Sequence, residues 1–186
     1  GGGSSFASLR RRRRRAAGPP RLRFSGSFLF VALLLLQPTA LLVSALCCAD
    51  GVQFNAATTA WLGGDTTTYG DISTWDTSQV TTLRHTFNGA SSFNADISKW
   101  DTGKVTDMVN MFHEAASFNG DVSTWNTGKV AKMGSAFSSA TNFNGDVSKW
   151  DTGKVTNMGH AFQSATNFNG DISSWDTSKV TFLNGM

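Results

Sequence analysis

Residues 146–170 read DVSKWDTGKVTNMGHAFQSATNFNG, and close copies of this phrase stand on both sides of them. Tryptophan returns at Trp75, Trp100, Trp125, Trp150 and Trp175, every 25 residues, each time opening W-[DN]-T-x-[KQ]-V. Two phenylalanine columns keep the same step: Phe87, Phe112, Phe137, Phe162 and Phe93, Phe118, Phe143, Phe168. A fixed period of this length marks a repeat architecture, because one unit cannot bury its apolar face alone and must stack on its neighbours. A stack of like coils offers a long regular surface, which suits binding better than a single asymmetric catalytic pocket.

Aligned on tryptophan, the units are 71–95, 96–120, 121–145, 146–170 and a partial 171–186. Three local signals recur in each. Val80, Leu83, Phe87 and Ala90 form the stripe of a short helix. Asn119-Gly120, Asn144-Gly145 and Asn169-Gly170 predict tight turns that use positive φ. The segment D-[IV]-S-x-W carries β-branched and aromatic residues and is the candidate strand, although the step from Ile72 to Trp75 is not clean alternation. Strand, corner, helix and turn within 25 residues make one turn of an α/β solenoid, with a short parallel strand and a short helix per coil. Upstream, Phe54, Ala57 and Trp61 suggest an amphipathic helix within an N-terminal cap at residues 50–70, which would shield the first coil from water.

The recurring columns each have two readings. The tryptophans could be an exposed platform for sugar rings or core; large aromatics fixed in every coil predict packing. Both phenylalanine columns, the valines Val80, Val105, Val130, Val155 and Val180, and the Leu83, Met108, Met133, Met158 column read as core. Asp71, Asp96, Asp121, Asp146 and Asp171 form one acidic column, and Asp76, Asp101, Asp151 and Asp176, with Asn126, another. Stacked like charges repel by about 1 kcal/mol per pair in water, so something must offset them. Asx turns would do so, with Lys104, Lys129, Lys154 and Lys179 helping. A ladder of calcium ions would also do so, but Asn126 and the nearby lysines speak against it. No metal or other cofactor is expected.

The charge is divided between two unlike pieces. Residues 1–49 hold eight arginines and no acid. Residues 50–186 hold eight lysines and arginines against thirteen acids, a net charge of −5, which disfavours phosphate backbones and sets nucleic acid aside. Residues 1–27 read as a basic, disordered N-terminal region. Phe28 to Leu46 is uncharged and would span about 28 Å as a helix, close to the thickness of a bilayer core. With arginines before it and small residues after it, the stretch 28–49 reads as a cleaved signal peptide or a signal anchor. Either places residues 50–186 outside the cell or in a secretory lumen, with a membrane contact through 28–46 if the segment is retained. The only cysteines, Cys47 and Cys48, leave the repeats without a disulfide framework. A start without Met and a stop at Met186 in mid-period predict a fragment whose last coil is uncapped.

The run F-N-G-D-[IV]-S-x-W-D-T-[GS]-K-V-T-x-M resembles the 25-residue repeat of BspA-like leucine-rich-repeat surface proteins, also called the mycoplasma-lipoprotein repeat of unknown function. The likeness covers residues 69–186. It implies a leucine-rich-repeat-like solenoid on a secreted or membrane-tethered protein, some relatives of which are adhesins or host-protein binders. The long arginine leader and the weak lipidation box at Ser44–Cys47 depart from that pattern.

The three histidines form no constellation, and no nucleophile–base pair or phosphate loop is recognisable, so an enzyme is not expected. Recognition by a repeat stack comes from what varies on the fixed frame. The polar positions that change from coil to coil are Arg84, His85, Asn110, Lys132, Ser135, His160 and Gln163, read here as lying on the helices. They are the candidate ligand-binding face, for an extracellular or cell-surface protein, with glycan as a second ligand class. The alternative is a passive coat or spacer that binds carbohydrate or calcium.

Overall fold

Each unit begins with an aspartate that caps its own turn. In the computed structural model, which describes residues 51–186, the carboxylates of Asp71, Asp96, Asp121, Asp146 and Asp171 accept the N–H of the serine two residues on, at 2.8–2.9 Å. The chain then closes a tight turn in which each tryptophan N–H donates to the carbonyl three residues back, at Ile72, Ile97, Val122, Val147 or Ile172. In the first unit this is a 3-10 helix, Ile72–Thr74. The strand expected at this segment is therefore replaced by a turn. The reason lies in the spacing: a turn puts residues three apart on one side, so Ile97 and Trp100 are both buried, whereas strand alternation would bury only one of them.

The helical stripe is also corrected. Val80, Leu83 and Phe87 are buried, but no helix carries them. The N–H groups of Leu83, His85, Phe87 and Gly89 donate to carbonyls of the next coil, at Asp107, Val109, Met111 and His113, over 2.8–3.0 Å. Those of Met108, Asn110, Phe112 and Glu114 repeat the pattern one coil on. The residues between, Thr86, Asn88 and Ala90, fold back onto carbonyls three positions earlier. Two left-handed residues per coil break any helical run: His85, Asn110, Ser135 and His160 at φ 53–60°, and Gly89, Glu114, Ser139 and Ser164 at φ 57–73°. The rise of the stack gives the physical cause. Phe87, Phe112, Phe137 and Phe162 follow one another with ring centroids 5.3 Å apart, while packed helices need about 8–10 Å between axes. One residue per coil, along Thr82, Asp107, Lys132, Asn157 and Phe182, makes a parallel bridge to the next.

The Asn-Gly pairs have a different purpose from the expected one. Gly120, Gly145 and Gly170 are not among the residues with positive φ. A Cβ on any of them would lie 2.8 Å from a ring carbon of Phe118, Phe143 or Phe168, so glycine is there for close approach. The asparagines supply rungs: the side-chain oxygens of Asn94, Asn119 and Asn144 accept the N–H of Asn119, Asn144 and Asn169, at 2.8–2.9 Å.

The core is a set of aromatic columns. Trp100, Trp125, Trp150 and Trp175 stack 6.2–6.5 Å apart within 3–4° of parallel. Each of their indole N–H groups donates to a main-chain carbonyl of the coil before, at Ile72, Ile97, Val122 or Val147. Beside them the two phenylalanines of a coil lie face to face, at 3.8–4.1 Å. Burying one such ring contributes about 1.5–3 kcal/mol. Buried hydroxyls are paired too: Thr77, Thr102, Thr127 and Thr152 donate to carbonyls of the next coil.

Helix α1, Gly51–Leu62, closes the first coil. Its Phe54 is fully buried, edge-on to Trp75 and Trp100 at 5.8 and 5.3 Å. Asn55 ties the helix down, donating to the Arg84 carbonyl and accepting from the Thr86 hydroxyl, each at 2.9 Å. Helix α2, Thr66–Tyr69, is capped by Asp65, which accepts the Thr68 N–H. The Tyr69 carbonyl accepts the Trp75 indole at 2.8 Å, in place of the earlier coil that later tryptophans use. At the other end Ile172, Phe182, Leu183 and Met186 are exposed. The expectations for residues 1–27, and for a signal or anchor at 28–49, lie outside the described residues. Among those described, no helix is long and apolar enough to cross a membrane.

Candidate functional site

The seven candidate residues come together on one arc of the coil, residues 82–88 and their equivalents, which is built from turns. His85, Asn110, Ser135 and His160 form a single column, and their variability has a backbone component. Each sits at positive φ, where asparagine and histidine are enriched, and each donates its N–H to the next coil, at Val109, Gly134, Gly159 and Asn184. Lys132 is an exposed member of the bridge column, as Phe182 is. Gln163 is exposed, three residues beyond His160, and its carbonyl accepts the Ser139 N–H at 2.7 Å. Arg84 is half-exposed and pairs with Asp107 at 3.6 Å, a contact worth about 0–1 kcal/mol at a surface.

Several members of the arc escaped the sequence reading. Asp107, Asn157 and Phe182 share the column of Lys132, and Gly134, Gly159 and Asn184 share that of Arg84. Their variation from coil to coil was the available signal. The glycines matter most, because they hollow out the arc. Added side chains at Gly134 and Gly159 would meet the Asn157 and Asn184 amides at 3.0 and 3.2 Å. With Ser135 and His160, these residues border an open depression of about 240 Å³. Asn184 Nδ2 lies 3.2 Å from His160 Nε2. Among the described residues, His160 Nδ1 is a buried polar atom without a partner.

The acidic columns are occupied by their own turns. Asp76, Asp101, Asn126, Asp151 and Asp176 accept N–H groups two residues on, at 2.9–3.1 Å, as the first column does. The hydroxyl and then the N–H of Ser148 hold the Asp146 carboxyl below its ordinary value, and Ser98, Ser123 and Ser178 do the same for Asp96, Asp121 and Asp176. At Asp121 these bonds outweigh the like charges of Asp146 and Asp96 above and below it. Lys154 and Lys179 reach back to the carbonyls of Gly128 and Gly153 at 2.8 and 2.9 Å. Among the described residues, no group of three or more His, Cys, Asp or Glu side chains is placed to hold a metal ion.

The family model described as a Mycoplasma protein of unknown function, DUF285, matches residues 54–150 and again 120–186. The chain belongs to the DUF285 family. Together the two matches run from Phe54, the residue of α1 that seals the first coil, to Met186. No curated protein and no solved structure matches the chain. The DUF285 description names no activity or ligand, so the chemistry of the arc carries the functional argument.

Proposed function

We propose that this DUF285 chain is a non-enzymatic surface protein, a leucine-rich-repeat-like solenoid of the BspA-like kind. In this reading it is secreted, or tethered through residues 28–46, and binds an extracellular or cell-surface protein through the arc at residues 82–88 and its equivalents. In-register bonds between coils, repeating every 25 residues, support the solenoid reading. The observation that carries the binding reading is the contrast within each coil. The columns of Trp75, Val80, Leu83, Phe87 and Phe93 repeat the same residue types, while the positions of the arc at 82, 84, 85 and 88 and their equivalents change from coil to coil on a backbone of repeated hydrogen bonds. A varied surface on a uniform frame is how repeat stacks acquire specificity. The hollow at Gly134 and Gly159 adds a concave element with asparagine amides and the free His160 nitrogen at its border.

The test is an array of purified matrix and cell-surface proteins probed with the full chain and with a Lys132→Glu, His160→Ala, Gln163→Ala variant. The wild type is expected to bind a member of the array, and the variant to lose about tenfold or more in affinity, in line with the loss of central contacts. An array without any binder, or equal binding by the variant, overturns the proposal.

A further inference from the structure

On either side of the second phenylalanine of each later coil, two alternate N–H groups are taken up by the coil before. Ser117, Asn142 and Asn167 donate to the main-chain carbonyls of Ser91, Ala116 and Thr141, at 3.0–3.2 Å. Asn119, Asn144 and Asn169 donate to the side-chain oxygens of Asn94, Asn119 and Asn144. The first coil has the same two donors, at Ser92 and Asn94. Among the described residues neither has an acceptor.

Helix α1 seals the core of this coil but offers those donors no acceptor. Trp61 takes the place of a preceding aromatic ring, edge-on to Phe93 at 6.3 Å, with its own indole N–H spent on the Gly70 carbonyl. Beside it, Ser92 and Asn94 line an open cleft of about 460 Å³ together with Trp61, Leu62 and Thr66. Leu62 is 40% exposed, an uncovered apolar side chain at the rim. Alternate N–H groups without acceptors among the described residues, beside a cleft with an exposed apolar rim, are the elements of recognition by strand addition, where main-chain bonds give affinity and side-chain contacts give specificity.

We propose that this cleft binds an extended peptide that substitutes for a preceding coil. One of its main-chain carbonyls accepts from Ser92, an asparagine side chain three residues later accepts from Asn94, and an apolar side chain between them rests on Trp61 and Leu62. The chemistry of the occupant follows from continuity with the interface inside the molecule. At each later rung the acceptors are a main-chain carbonyl and the Oδ1 of an asparagine three residues on, as at Thr141 and Asn144. The cleft lining is uncharged, so the contacting peptide residues are neutral. The site uses no residue of the variable arc and stands or falls apart from it.

The experiment follows amide hydrogen exchange of the full chain, in mild detergent, with a blocked peptide copying residues 140–146. Exchange at Ser92 and Asn94 is expected to slow by about tenfold at saturation. A peptide with alanine in place of Asn144 should give no such protection. In the protein, Leu62→Asp changes a half-exposed side chain, so the fold should keep its far-ultraviolet spectrum while the peptide affinity falls by about tenfold or more. Unchanged exchange at both amides, equal binding of the alanine peptide, or protection confined to residues 171–186 overturns the proposal.

Discussion

Replacing Trp125 with alanine removes an inner ring of the tryptophan column. Its ring lies between Trp100 at 6.5 Å and Trp150 at 6.4 Å, with Phe112 at 6.3 Å, and it is 4% exposed. Truncating a buried aromatic of this size costs about 3–5 kcal/mol. The Ile97 carbonyl also loses its indole donor, which adds about 1–3 kcal/mol if it stays dry. Trp175→Ala is the matched control. That ring has one tryptophan neighbour, Trp150 at 6.2 Å, and sits in a coil whose other side chains are mostly exposed. Its loss should cost about half as much, roughly 2 kcal/mol, because the surroundings are already hydrated. The assay is equilibrium urea unfolding, followed by the fluorescence of the remaining tryptophans and by circular dichroism. Stability in a stack is a sum of coil terms and nearest-neighbour terms, so the Trp125 variant should also broaden or split the transition. Equal losses at the two sites, or a loss below about 1 kcal/mol at Trp125, would refute the account of stability as coupling between rungs.

Gly145→Ala is expected to destabilise by about 1–3 kcal/mol, through the 2.8 Å approach to the Phe143 ring, which its stacked neighbours hold in place. Ala95, the residue in that column of the first coil, should accept glycine with a change under about 1 kcal/mol, since the opposite substitution removes a contact and adds none. Thermal melts across the acid range should show stability holding down to the ordinary carboxyl value of 3.8 and falling below it. The sign follows from the direction of the shifts. Asp96, Asp121, Asp146, Asp171 and Asp176 titrate lower when folded, chiefly through bonds from the serines two residues on. Their contribution is therefore complete above the unfolded value and is lost as pH falls through the folded ones. Melting temperatures that rise on acidification below 3.8 would contradict this.

The identity of the inward columns was legible because burial of an aromatic in a repeat is a one-dimensional fact. Trp100, Trp125 and Trp150 share a step with Phe118 and Phe143, and all five are buried. Local conformation was not legible, and the Val80, Leu83, Phe87 stripe shows why. Its spacing fits a helix and also fits a run of turns that sends alternate N–H groups to the next coil. A period cannot tell which carbonyl an N–H will choose. The candidate arc was half legible: variation marked His85 and Lys132, but the hollow at Gly134 and Gly159 exists only because Asn157 and Asn184 lean over it from neighbouring positions.

By itself, then, the sequence determined that identical rings pile up every 25 residues and which side chains lie inside. The tertiary structure decided how the backbone reaches the next coil. A rise near 5.3 Å leaves no room for a helix per coil, so the N–H groups that a helix would satisfy internally are satisfied across coils. That exchange, from local to intercoil hydrogen bonds, leaves Ser92 and Asn94 as donors without an acceptor among the described residues.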